Sequence, residues 1–166
     1  MSSFFVRRAT RADLSAIDLL LSDSYPRLLR PDYPPSVLVT ALPLISRAQP
    51  DLVASGGYFV AERDGAILGA GGMTARAPGA ERTRAGRGNV RHLVTDHRAV
   101  RQGIARALME RIVEAAHAQN LSALDCVSTR TAVPFYAAMG FRTLGEVDVA
   151  LRNGVTFPAI RMERDL

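Results

Sequence analysis

Six consecutive residues, Arg101-Gln102-Gly103-Ile104-Ala105-Arg106, set a glycine between two arginines where a strand pattern has ended and a helical pattern is starting. The first backbone N–H groups of a helix have no partners inside it. The helix dipole adds partial positive charge at that end, and a glycine at 103 lets an anion approach the backbone closely. Arg101 and Arg106 add full charges nearby. The pattern describes an anion cradle, and a pyrophosphate is its natural guest. By itself the turn supports only an anion at a helix start.

Other reactive side chains narrow the chemistry. The single cysteine, Cys126, excludes an internal disulfide framework and a cysteine-based zinc site. Its apolar, mid-strand setting reads as that of an inert small hydrophobe rather than a nucleophile. His92, His97 and His117 lack metal-ligand spacing, so no metal site is expected. The net charge is +5 and the isoelectric point about 10.3, with arginine supplying all 21 basic residues. These arginines are spread from Arg7 to Arg164 without a stripe, which argues against nucleic-acid binding and suits a polyanionic small molecule. No apolar run approaches the ~20 residues that span a bilayer. The start, Met1-Ser2-Ser3-Phe4-Phe5, lacks the order of a signal peptide, so a cytoplasmic protein with no membrane partner is expected.

The elements that must position these residues follow from periodicity. A strand is expected over 4–9. Thr10 caps a helix with Asp13 in its first turn and a Leu14, Ile17, Leu20, Leu21 stripe. The proline-rich stretch 25–35 reads as irregular. Residues 36–47 read as a helix kinked at Pro43. Strands at 57–62 and 67–73 flank the hairpin signal Asp64-Gly65, and 76–87 reads as an exposed hairpin loop. A strand over 90–95 leads to a helix over 101–119 with the stripe Ile104, Leu108, Ile112, Ala115. A strand over 121–127 presents Leu124 and Cys126 on one face. A short helix over 131–139 stops at Gly140. Strands over 141–151 and 156–161 flank Asn153-Gly154, and a charged tail follows. This order predicts one domain over 1–166, of mixed α+β class. Its six- to seven-stranded sheet is mostly antiparallel, flanked by about four helices, with one parallel βαβ unit around residues 89–127.

Two blocks carry a family resemblance. Residues 91–108, which contain the cradle, are similar to the strand, loop and CoA-binding turn of the GNAT acetyltransferases (Gcn5-related N-acetyltransferases). Ala132-Val133-Pro134-Phe135-Tyr136-Ala137-Ala138-Met139-Gly140-Phe141 resembles that family's "A-x-x-F-Y-x-x-x-G-F" block. Val100 departs from the family's Gln or Arg at the first position of the turn, and Thr129 stands where asparagine is common. Asn89 lies near the position of a glutamate that serves many members as base.

The resemblance implies a bacterial-type N-acetyltransferase that moves an acetyl group directly from acetyl-CoA to an amine on a small molecule or peptide. A catalytically weak acyl-CoA sensor is the alternative, and a homodimer is also implied. The pantetheine arm would lie along Leu93, Val94 and Thr95. The pyrophosphate would lie on Arg101, Gln102, Gly103, Ile104, Ala105 and Arg106, with Thr129, Ala132, Phe135 and Tyr136 completing the cofactor site. Tyr136 is the expected acid for the departing thiolate, because phenol and thiol pKa values are comparable, ~10 and ~8.5. His92 is the expected base, with bulk water as the alternative.

Overall fold

The computed structural model describes residues 3–75 and 85–166. The expected loop over 76–87 falls mostly outside them. Among the described residues the chain forms seven strands and five α-helices. They are β1 (Phe5–Arg8), α1 (Leu14–Leu29), α2 (Pro35–Ile45), α3 (Pro50–Val53), β2 (Tyr58–Arg63), β3 (Ala66–Thr74) and β4 (Arg87–Thr95). After these come α4 (Ile104–Ala118), β5 (Ala123–Ser128), α5 (Val133–Ala138), β6 (Arg142–Ala150) and β7 (Thr156–Asp165). One sheet holds all the strands, in the order β1-β2-β3-β4-β5-β7-β6. Every neighbouring pair is antiparallel except β4 and β5, which run parallel.

Helices cover both faces of the sheet, so its central strands are apolar on both sides. On one face, Phe59 and Ala61 of β2 pack with Ile104, Leu108 and Ile112 of α4 and with Tyr136 and Met139 near α5. On the other, Tyr58 and Val60 pack with Ile17, Leu20 and Leu21 of α1. A third cluster joins Leu29, Tyr33, Leu38 and Ala41 to Phe157 and Ala159 of β7. The inner stripe of α4 ends on Ala116, fully buried, where periodicity placed Ala115.

The Asp64-Gly65 turn forms as expected, with Arg63 paired to Ala66 across it. Three expectations change. The first helix continues through Pro26 to Leu29; a proline one turn from a helix end costs a single backbone bond, and Leu29 is deeply buried in return. In place of a helix kinked over 36–47, Pro35–Ile45 form one helix with Pro43 near its end. The charged tail is the second half of β7, because its charges are paired there: Arg87 binds Asp125 and Glu163, each at 2.6 Å, and Arg142 binds Glu163 at 2.7 Å.

The entry to α1 is fixed by charge. Thr10 precedes a single 3₁₀ turn, and the Asp13 carboxylate accepts from the Thr10 N–H at 2.8 Å and from the Arg7 guanidinium at 2.9 and 2.8 Å. Arg7 chiefly, and the Thr10 N–H with it, hold the Asp13 carboxyl below its ordinary 3.8. A depressed carboxylate contributes stability that is present above the unfolded pKa and is lost as pH falls through the folded one. Asp13→Asn should therefore lower stability by about 1–2 kcal/mol at pH 7. It should also flatten the fall in stability below about pH 4 relative to the parent. Urea melts across pH check both, and parallel pH curves would contradict the assignment.

Candidate active site

The sheet opens where β4 leaves β5. The two strands pair only at Arg87 with Ala123, Gly88 with Leu124 and Asn89 with Asp125. Beyond Asn89 the edge of β4 that faces β5 has no strand partner. A bulge lies in this unpaired stretch. The register between β3 and β4 shifts between Ala70 and Gly72, and His92 takes a left-handed φ of 46°. The Tyr58 hydroxyl donates to the His92 carbonyl at 2.8 Å and fixes the bulge. Gly71 makes room for it: a Cβ there would lie 2.5 Å from a Leu93 methyl and 3.2 Å from its Cα. Bulges commonly re-aim a strand beside an active site.

The bulge sets which amides face the gap. Asp96 donates to the Leu68 carbonyl across β3, and Val94 sits opposite Ala70. By alternation the Thr95 N–H then points the other way, into the opening toward β5, and the Leu93 N–H lies anti to the His92 carbonyl that the Tyr58 hydroxyl of β2 holds.

A cavity of about 800 Å³ occupies this opening. Its floor is Leu93, Val94 and Thr95, and its far wall is Thr129, Ala132, Phe135 and Tyr136. Arg101, Gly103, Ile104, Ala105 and Arg106 close one end. Of the expected cofactor-site residues, only Gln102 does not line it; its side chain turns aside to accept a 3.0 Å hydrogen bond from Arg63.

The helix after the turn starts later than its sequence suggests. Arg101 and Gly103 are both left-handed, with φ of 60° and 81°, so α4 begins at Ile104 rather than 101. This geometry strengthens the cradle. The N–H groups of Gly103, Ile104, Ala105 and Arg106 have no acceptor among the described residues, and the first helical bond is from Ala107 to Gly103. The space a Cβ would enter at Gly103 is open. Neither Arg101 nor Arg106 is ion-paired among the described residues. Free N–H groups, two free guanidinium groups and an elongated, mainly apolar cavity fit a cofactor with a pyrophosphate at one end and an extended thiol arm.

A second, smaller cavity of about 210 Å³ meets the first at Tyr25, Leu93, Thr129, Ala132 and Tyr136. Tyr136 therefore stands at the junction. Its ring packs edge-on against Phe135 and Phe141, with centroids 5.5 and 5.2 Å away. Its hydroxyl has no hydrogen-bond partner among the described residues. Burial first, with Cys126 and Tyr25 adding to it, raises its pKa well above the ordinary 10, so it stays protonated.

His92 lines the second cavity but not the first. Burial, then the Arg91 charge, pushes its pKa down to about 4. The Arg91 guanidinium can only donate, so Gln49 presents Oε1 to it at 3.2 Å and its amide nitrogen to His92 Nε2 at 3.1 Å. This network commits the Nε2 lone pair to Gln49 and assigns the ring proton to Nδ1. The expected base is thus neutral, weakly basic and already occupied as an acceptor.

Tyr33 and Tyr58 are structural: the Tyr33 hydroxyl donates to the Pro158 carbonyl and accepts from the Arg130 N–H, each at 2.8 Å. Cys126 lies in the core outside both cavities, its thiol pushed up to about 12 by burial. Tyr25 and Leu28, which α1 brings to the large cavity, lie in the stretch 25–35 that reads as irregular from the sequence; burial raises the Tyr25 pKa to about 12. The signal was present, since Leu21, Tyr25 and Leu28 form a helical i, i+4, i+7 stripe, but Pro26 masked it.

Residues 43–165 match the family model described as "Acetyltransferase (GNAT) domain". No curated protein matches in sequence. Among solved structures, the fold is similar to a GCN5-related N-acetyltransferase from Rhodopseudomonas palustris, with a TM-score of 0.78 at 17% identity over 100% of this chain and 98% of the other. It is similar to the PaiA N-acetyltransferase of Thermoplasma acidophilum in complex with coenzyme A, with a TM-score of 0.73 at 11% identity, 99% and 100% covered. A ribosomal-protein-alanine N-acetyltransferase from Brucella melitensis gives 0.66 at 19% identity, 98% and 99% covered.

Proposed function

The chain belongs to the GNAT acetyltransferase family, and from that premise we propose that it transfers an acetyl group from acetyl-CoA directly to the amine of an acceptor. The observation that carries this reading is the meeting of the two cavities at Tyr136 and Leu93. One cavity ends in an anion cradle, and the other ends in the acceptor space.

Bound acetyl-CoA supplies a thioester carbon open to attack by a neutral amine, which forms the C–N bond as the C–S bond breaks. The cradle at Gly103, Ile104, Ala105 and Arg106, with the Arg101 and Arg106 charges, holds the pyrophosphate. The Leu93 N–H, facing the gap, donates to the carbonyl oxygen as negative charge develops there. Tyr136 gives its phenolic proton to the departing sulfur and recovers one from solvent. The acceptor nitrogen, cationic once it has attacked, loses one proton to water, since His92 is too weak a base and its Nε2 is engaged.

This assignment makes a pH prediction. With His92 near 4 and Tyr136 protonated throughout, no side chain of either cavity among the described residues supplies an inflection between pH 6 and 8. The rate of thiol release with a given amine should rise with pH as that amine deprotonates, and the midpoint should move with the amine's own pKa across a series. A fixed midpoint near 6.5 for every amine would instead restore a histidine base.

The lack of a strong base favours, as a second reading, an acyl-CoA sensor that does not turn over. It predicts saturable CoA binding with no thiol release beyond the uncatalysed rate.

A further inference from the structure

We infer that the acceptor is a small apolar α-amino acid, with Arg91 binding its carboxylate; the inference rests on the acetyl-transfer reading above. The acceptor-side cavity, about 210 Å³, has room for a small molecule. Its far wall is apolar, formed by Leu44, Ile45, Val149, Leu151 and Phe157. Among the described residues no aspartate or glutamate lines it, and Arg91 is its one full charge at neutral pH, because His92 is neutral there.

Arg91 is partnered unlike Arg7 and Arg87. Arg7 and Arg87 each bind two carboxylates. Among the described residues Arg91 reaches only neutral oxygens, Thr74 Oγ1 at 3.3 Å and Gln49 Oε1 at 3.2 Å. Its Nε is buried with no acceptor among the described residues. Burial lowers its pKa, the mark of a charge that has lost solvent without gaining an anion. Buried charges are ordinarily paired, and a guanidinium on a cavity wall whose terminal nitrogens meet only neutral oxygens among the described residues fits a carboxylate ligand. The same positive charge, with no acid to offset it, disfavours a polyamine or another multiply cationic acceptor.

The test compares thiol release from acetyl-CoA with L-phenylalanine, L-leucine, their amides and spermidine. The amides offer the more readily deprotonated amine, so preference for the acids would run against intrinsic reactivity. The free acids should exceed their amides in kcat/KM by roughly 10- to 100-fold, the range of charge-assisted hydrogen bonds. Arg91→Met should abolish that ratio and Arg91→Lys should retain part of it, while calorimetric CoA binding confirms that both variants fold. Equal use of acids and amides, a preference for spermidine, or a ratio that survives Arg91→Met would overturn the inference. If no amine releases thiol, calorimetric titration of L-phenylalanine into CoA-saturated protein separates the two claims. Binding that Arg91→Met removes would uphold the amino-acid site and sink acetyl transfer, and no binding would sink the site as well.

Discussion

Replacing Tyr136 with phenylalanine lowers kcat by roughly 100-fold while the KM for acetyl-CoA changes little, the size expected when a general acid is removed. The ring geometry permits a clean experiment. Tyr136 packs through its edge and faces against Phe135 and Phe141, contacts that phenylalanine keeps, and the hydroxyl has no partner to leave stranded among the described residues. The raised pKa does not disqualify the phenol as an acid. Burial raises the proton affinity of a thiolate as well as that of a phenolate, and Cys126 nearby shows the effect, its thiol pushed up to about 12. Donor and acceptor therefore rise together. An unchanged kcat in single-turnover measurements would remove Tyr136 from the reaction.

Gly103→Glu weakens CoA binding by roughly 100-fold, with three contributions acting in one direction. The position is left-handed at φ 81°, which costs an ordinary residue about 1 kcal/mol. The new side chain leaves the backbone into open space at the cavity, where the pyrophosphate would lie. A carboxylate there opposes the charge that Arg101 and Arg106 provide. Gly103→Asn is the control, because asparagine tolerates the left-handed region and adds no charge. It should weaken binding only a few-fold by calorimetry. Equal binding by the Glu variant and the parent would remove the cradle from the cofactor site.

The local signals in this chain were legible and the non-local ones were not. Asp64-Gly65 announces its hairpin because two adjacent residues favour positive φ. The α4 stripe announces its face because burial follows the helical period. The start of α4 was misplaced by three residues because nothing in Val100-Arg101-Gln102 signals a left-handed arginine; the turn's tertiary setting imposes it. The insertion of β7 between β5 and β6 pairs residues far apart in sequence, and its charges looked like a solvated tail until Arg87 and Arg142 were placed beside them. At the site, the family blocks pointed to one wall and the floor of the large cavity. The wall from α1 was hidden by Pro26, and the setting of Arg91, which meets neutral oxygens and no carboxylate among the described residues, is a tertiary fact that no motif records.

Direct acetyl transfer is best tested by following acetyl-CoA and an amine panel together, measuring released CoA thiol and acetylated amine in the same reaction. Equimolar thiol and N-acetylated product are expected, at a rate well above the uncatalysed reaction for at least one amine and strongly reduced by Tyr136→Phe. Saturable CoA binding with no acetylated product from any amine would contradict it.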